Sequence, residues 1–264
     1  MADPSEQIDK VREQFTRQAD AYIRTRQASD EAGLLGLAAL SGAKPGDRAL
    51  DVACGPGLLT MALASRCATA VGFDATEAFL ERARAEAARR GLANLSFRAG
   101  DAERLPFPDA SFDVVTCRAA FHHFARPERV LAEMSRVLTP NGRLLVADIV
   151  ASEDPRKAEY QNRIERLCDP SHARALPASE LERLFEAADL EIKARPRSTL
   201  DYDVAEWLDH GGPGEAATRE ILALFEASLE VDRCGLNVRR EAGKLRFSHS
   251  ALALVGRHWV DPRS

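Results

Sequence analysis

The segment Ala49–Thr60, ALDVACGPGLLT, constrains the fold more than any other stretch of the chain. A short apolar run ends in a glycine-rich turn, and an apolar run at helical spacing follows. That is the pattern of a buried strand, a tight turn and a helix. The pattern then repeats. Arg48–Ala53, Ala70–Asp74, Leu95–Ala99, Phe112–Cys117 and Arg143–Ile149 read as strands, with Leu58–Ser65, Glu77–Arg90 and Pro127–Leu138 as helices between them. Gly91 stops the second helix, and Val130, Leu131, Met134, Val137 and Leu138 fall on one face of the third. Strands that are apolar nearly throughout and alternate with helices belong to a mostly parallel sheet covered on both faces.

The flanks are less regular. Residues 1–10 read as frayed, Val11–Ala28 as a helix and Glu31–Leu40 as a second helix closed by Gly42 and the Lys44–Asp47 turn. Past the fifth strand, residues 150–180 read as a loop, Ser179–Ala188 as a helix, Leu190–Ala194 as a strand and Phe247–Val255 as the last strand. Residues 203–244 interrupt these two strands and read as mostly helical, over Val204–His210 and Glu215–Val231, with a GGPG break between. The expected architecture is α/β, a Rossmann-like doubly wound, mostly parallel seven-stranded sheet with an antiparallel last strand and a helical cap inserted before it. Its parts are an N-terminal helical lid (1–44), a ligand-binding core (45–200), the inserted cap (201–245) and the last core strand with the C-terminus (246–264).

Composition removes several function classes. A net charge of −5, with Arg interleaved among Asp and Glu, argues against a nucleic-acid-binding face. No apolar run reaches the roughly 18 residues of a membrane span, and residues 1–10 lack the apolar centre of a signal peptide. The cysteines at 54, 67, 117, 168 and 234 are odd in number, and no CxxC occurs. They point to free thiols in the cytoplasm rather than to disulfides or zinc. Monomer and homodimer stay open.

Within the opening segment, Gly55-Pro56-Gly57 leaves the backbone bare where a ligand would approach. A dinucleotide site would carry G-x-G-x-x-G, but Thr60 stands at the third position. Asp51 lies inside the preceding strand, where an acid suits a positively charged ligand better than a pyrophosphate. Asp74, ending the second strand, is placed for the hydroxyls of a ribose.

These segments resemble, in order, the motifs of the class I S-adenosylmethionine-dependent methyltransferases. ALDVACGPG is similar to D/E-x-G-x-G-x-G, with Ala53 replacing the first glycine, and VGFD is similar to the segment bearing the ribose-binding acid. AGDAERLPFPDASFDVV at 99–115 resembles the adenine-binding loop and fourth strand, and RVLTPNGRLLVAD at 136–148 the helix–turn–strand that closes the core. DAERLPF, HHF and FTRQADAY are most similar to the ubiquinone/menaquinone-biosynthesis branch and the small-molecule enzymes around it.

The resemblance implies S-adenosylmethionine as cofactor. Asp51, Ala53, Cys54, Gly55 and Gly57 would surround its methionyl part, Asp74 and Ala75 its ribose, and Gly100, Asp101 and Ala102 its adenine, with Cys117 nearby. Tyr22 would be a lid residue, or its helix would only pack an apolar face on the domain. The implied reaction is methyl transfer to a hydroxyl or carbon of a small aromatic, quinol or polyketide-like acceptor. The alternative is a protein of this fold that binds the cofactor for a non-methylating reaction or without turnover.

CRAAFHHF at 117–124 follows the fourth strand and belongs at the carboxyl edge of the sheet. His122 and His123 are the candidate bases, since imidazole has a suitable pKa. The alternative is that one caps the helix at Pro127 or bonds a loop carbonyl, a role that suits His123 better. Arg118 is a candidate donor to an anionic acceptor, or a surface ion-pair partner. His172 and Arg174 in DPSHARALPASEL, and Trp207 in the cap, are candidate acceptor contacts; a surface loop and ordinary core are the alternatives. CRAA in place of NPPY, and the absence of a Pro-Cys pair, disfavour amino-methylating nucleic-acid enzymes and cytosine C5 methylation. Of the clustered carboxylates that a metal-dependent catechol enzyme needs, only Asp148 is present at the sheet edge, so no metal is expected.

Overall fold

The computed structural model describes residues 4–22 and 30–259. Two helices come first, α1 (Pro4–Tyr22) and α2 (Glu31–Leu40). The alternating core follows: β1 (Arg48–Val52), α3 (Leu58–Ala64), β2 (Thr69–Asp74), α4 (Glu77–Arg89), β3 (Leu95–Ala99), β4 (Phe112–Arg118), a 3₁₀ turn (Phe121–His123), α5 (Pro127–Val137) and β5 (Leu138–Val150). The remainder is α6 (Pro155–Cys168), α7 (Ala178–Ala187), β6 (Leu190–Ala194), β7 (Arg197–Asp203), α8 (Val204–Gly211), α9 (Glu215–Glu226), β8 (Arg239–Glu241) and β9 (Lys244–His258).

The strands form one nine-stranded sheet in the order β3-β2-β1-β4-β5-β9-β6, with β7 and β8 paired to β9. β1 to β5 pair in parallel, and β9 runs antiparallel to its neighbours β5 and β6. The expected doubly wound core is therefore present. Strand order reverses between β1 and β4, which opens a crevice at the carboxyl ends of those strands. One core layer, around Phe73, Leu131, Met134 and Leu254, packs the sheet against α5 and α7. The other, around Leu34, Ala38, Leu63 and Val114, packs it against α2 and α3.

Four expectations are corrected. First, the segment 150–180 is not a loop through its length. Pro155 and an Asp154 side chain that accepts the Arg156 N–H start α6. Gln161, Asn162 and Glu165 lie on its buried face, so no apolar periodicity marks it. Second, β7 and β8 extend the sheet; the sequence of β7, RSTLDYD, is mostly exposed and carries no strand signal. Third, residues 201–245 are not a purely helical insertion, since β7 ends and β8 lies within them. β9 runs unbroken from β8 and β7 to β5, and α6, α8, α9 and β9 share one cluster around Ile164, Phe225 and Phe247. Fourth, residues 4–10 are helical rather than frayed: Gln7 is buried and its Nε2 donates to the carbonyls of His123 (3.0 Å) and Ser171 (2.6 Å).

Gly57 shows how the turn sets helix against sheet. Its φ is +76°, and a Cβ there would lie 2.6 Å from Phe97 Cε1 and 2.9 Å from Ala83 Cβ. Gly57→Ala combines left-handed strain with overpacking, for an expected loss of about 1–3 kcal/mol. At roughly 2–4 °C per kcal/mol for a chain of this size, the melting temperature should fall by several degrees in a thermal scan. An unchanged melting temperature would contradict this packing role.

Candidate active site

The turn after β1 and the ends of β2 and β4 border a first cavity, covered by α1. Of the residues expected at a cofactor, Asp51, Ala53, Cys54, Gly55, Asp74, Ala75, Gly100, Asp101 and Ala102 line it. Gly57 and Cys117 do not: the first packs on Phe97, and the second is a buried thiol whose pKa burial pushes far up. Tyr22 ends α1, and its side chain lies outside the described residues. Gln7, Val11 and Phe15 of α1 join the lining; Phe15 opens the FTRQADAY segment, while Gln7 and Val11 are marked by no sequence motif.

Asp51 is 2% exposed. Its Oδ2 accepts the Thr60 hydroxyl at 2.7 Å and its Oδ1 the Thr116 hydroxyl at 2.8 Å. Burial still pushes its pKa up to about 6, against those two hydrogen bonds and the positive charge of Arg118. Thr60, which displaces the third glycine of a dinucleotide motif, thus anchors the acid. Asp74 is held across the turn, its Oδ2 accepting the Gly55 N–H at 2.8 Å and its Oδ1 the Thr76 N–H at 2.8 Å. Burial raises its pKa and those backbone bonds oppose the rise. Gly55 has φ +53°, and the nearest atom to a Cβ there is 4.0 Å away on Phe79, so the backbone faces open space.

A second cavity of about 500 Å³ adjoins the first and shares Phe15, Arg118, Ala119 and His123 with it. The join is the end of β4, where Ala119 has φ +50° and donates its N–H to the Ala147 carbonyl at 2.8 Å. His122 borders the second cavity, with Nδ1 2.7 Å from Asp148 Oδ1 and its backbone N–H donating to Asp148 Oδ2 at 3.2 Å. A carboxylate on Nδ1 fixes the tautomer and leaves Nε2 to accept a proton. Burial lowers the imidazole pKa, but the charge and hydrogen bond of Asp148, with Glu165 and Asp169 behind them, outweigh it and leave it raised. Asp148 is correspondingly held below the usual carboxylate range, His122 overcoming the effect of burial.

His123 differs from its neighbour. Its Nδ1–H donates to the Ser171 carbonyl at 3.0 Å, and its ring meets Phe15 edge-on at 5.0 Å. Burial, then the charge of His122, push its pKa down to about 4, so it stays neutral. Bonding a loop carbonyl is the structural role foreseen for this residue. His172 and Arg174 are not brought to the cavities. His172 is buried and donates Nε2–H to Asn162 Oδ1 at 2.7 Å, while Arg174 pairs with Glu180 at 2.5 Å on the outside. Trp207 does line the second cavity, and it also packs edge-on against Phe247 at 5.2 Å. Sequence reasoning missed a buried pair on the same wall, His249 Nε2 2.5 Å from Glu165 Oε1. Among the described residues no group of three or more His, Cys, Asp or Glu could hold a metal, and no helix is long and apolar enough to cross a membrane.

The family described as Methyltransferase domain matches residues 43–193, more than half of the chain and all of the alternating core. The chain belongs to this methyltransferase family. The methyltransferase is 34% identical to the uncharacterized methyltransferase YcgJ of Bacillus subtilis, over 92% of this chain and 96% of YcgJ. The crystal structure of YcgJ superposes with a TM-score of 0.82, covering 87% of this chain and all of that one at 31% identity. A demethylmenaquinone methyltransferase of Deinococcus radiodurans is 47% identical over a shorter span, 38% of this methyltransferase and 42% of that enzyme. The fold and the family thus agree with the class that the motifs resemble.

Proposed function

We propose that the protein transfers a methyl group from S-adenosylmethionine, held in the first cavity, to a small-molecule acceptor in the second. The observation that carries this reading is the join: the two cavities meet at Arg118, Ala119 and His123, with the His122–Asp148 pair beside the meeting point on the second side. The residues of the first cavity fit the cofactor. Asp74 presents a fixed carboxylate to a ribose diol, the bare Gly55 turn gives room for the methionyl part, and Asp51 provides negative charge for its cationic groups. Asp101, with its Oδ1 fixed by the Glu103 N–H at 2.9 Å, and Ala102 stand where an adenine edge would lie. α1 acts as the lid, and the free cysteines suit a cytoplasmic protein.

The cofactor supplies an activated methyl group, so the protein's main task is placement. Holding the acceptor in line is worth about 7–11 kcal/mol in favourable cases. His122 Nε2 takes the acceptor's proton while Asp148 holds Nδ1–H and stabilises the imidazolium that forms. Arg118 orients an acceptor oxygen at the join. An acceptor that is a hydroxyl or carbon of an aromatic, quinol or polyketide-like molecule suits a cavity that Leu34, Leu37, Leu200, Leu252 and Trp207 line together with these polar groups. Incubation with methyl-labelled cofactor and a panel of phenols, quinols and thiols tests the reaction. Label in an acceptor supports it, and cofactor binding without transfer to any of them favours a non-methylating use of the site.

The pH dependence has a definite sign. The base must be neutral, and its pKa is raised, so kcat should rise with pH through a midpoint above the ordinary histidine value. Asp148→Asn removes the charge that raises the pKa and leaves one acceptor oxygen where two now hold the Nδ1–H and the backbone N–H of His122, so the tautomer is no longer fixed. The midpoint should then move down, and the plateau rate should fall by about tenfold or more. A kcat–pH profile of both proteins checks this; coincident midpoints would contradict the coupling.

A further inference from the structure

The second cavity carries two histidine–carboxylate pairs, and the proposed methyl transfer uses one of them. The other, Glu165–His249, is built with care. Glu165 projects from the buried face of α6 with its side chain 9% exposed, and His249, 3% exposed, lies on β9 opposite Leu200 of β7. Tyr202 and Phe247 each meet the His249 ring edge-on at 5.1 Å, so it cannot turn away. Its Nε2 holds Glu165 Oε1 at 2.5 Å. Among the described residues no donor reaches Glu165 Oε2, yet that oxygen is not sealed in the protein as His249 Nδ1 is. A carboxylate side chain nine-tenths buried, with one oxygen held by His249 and the other left to the cavity, is an acceptor placed for a donor on the cavity's occupant.

We propose that Glu165, oriented by His249, accepts a hydrogen bond from a second hydroxyl of the acceptor, remote from the atom that is methylated. Position supports this. Asp148 pairs with Leu252 across the β5–β9 ladder, and His249 lies three residues from Leu252, about 10 Å along the strand. The two pairs therefore stand apart along the strand, and both border the one cavity together with its apolar lining. Arg118 and Arg197 border the same cavity, and so do Asp30, Asp148 and Asp169, so its charge is mixed; a hydroxyl is the donor that the proposed phenol or quinol acceptor can itself carry. The acceptor class is thus an apolar molecule with two separated hydroxyls, one facing His122 and one facing Glu165. Glu165 is a specificity-determining residue; to the methyl transfer itself it contributes no contact, only charge behind Asp148 that helps raise the His122 pKa.

This inference rests on the reading of the second cavity as the acceptor site, and its test separates the two. The probes are dihydroxynaphthalenes and the naphthols that lack the second hydroxyl, titrated anaerobically into the full-length protein loaded with S-adenosylhomocysteine. For wild type at least one diol should bind about tenfold or more tighter than its mono-hydroxyl counterpart, as expected for a hydrogen bond to a carboxylate. In Glu165→Gln that preference should shrink to about threefold or less, while affinity for S-adenosylhomocysteine is unchanged. If Glu165→Gln does not fold, Glu165→Asp, which keeps the charge but withdraws the oxygen by one methylene, should shrink the preference in the same way. No diol preference in wild type, or a preference that survives in the variant, overturns the inference alone, whereas no binding of any probe to the loaded protein overturns it together with the reading of the second cavity as the acceptor site. Failure of wild type to bind S-adenosylhomocysteine would overturn the cofactor reading beneath it.

Discussion

His122→Ala is expected to lower turnover by about 10²-fold or more while leaving affinity for S-adenosylhomocysteine intact. A phenol or enol acceptor with a pKa near 10 is only about one part in a thousand ionised at neutral pH, and a neutral imidazole beside it recovers much of that deficit. The side chain borders the second cavity and not the first, so cofactor binding should not sense its loss. The local backbone survives the change. The residue's N–H still donates to Asp148, and its carbonyl still accepts the N–H groups of Ala173 and Arg174, both at 2.9 Å. Asp148 loses its Nδ1–H partner and remains buried, so some stability is lost, on the order of 1–3 kcal/mol. Rates should therefore be compared well below the melting temperature. His123→Ala should act the other way, lowering the melting temperature by removing the bond to Ser171 and the contact with Phe15 that tie α1 to the site. Full turnover in His122→Ala would mean that placement alone drives the transfer.

Asp74→Ala should weaken S-adenosylhomocysteine binding at least tenfold. Each charge-assisted hydrogen bond to the carboxylate is worth about 1.5–3 kcal/mol, and a ribose diol engages it through two hydroxyls. The substitution also releases the Gly55 and Thr76 N–H groups that Asp74 holds at 2.8 Å, which loosens the turn. Both effects reduce affinity, and calorimetric titration of the variant measures their sum. An unchanged affinity would remove Asp74 from the cofactor site.

The sequence made the first cavity readable and left most of the second hidden, for physical reasons. β1, β2 and β4 are apolar along nearly their whole length because both sheet faces are covered. The first cavity is then lined by the turns that follow them, and contiguous motifs capture Asp51, Gly55, Asp74 and Asp101 together. The second cavity draws on α2, β5, α6, β7, α8 and β9, and no single motif spans those elements. Glu165 was out of sight because α6 turns polar residues inward, and His249 because it stands between Ser248 and Ser250 in a polar stretch of the last strand, where nothing marks its side chain as buried. His172 and Arg174 share a short segment with the residues around the cavity. Buried Asn162, which accepts from His172 and from the Ala175 N–H at 2.7 Å, fixes that segment with both side chains turned elsewhere. In the same way, the start of α1 depends on a buried glutamine, Gln7, whose partners lie more than a hundred residues away.

The central claim is that the cofactor's reactive end meets the acceptor cavity where β4 ends. A crystal structure of the protein with S-adenosylhomocysteine tests it most directly. The account predicts ribose hydroxyls on Asp74, the amino-acid part along the Gly55 turn, and the sulfur at Ala119, facing the second cavity and His122. A sulfur turned away from that cavity, or a ligand bound outside the first one, would contradict it.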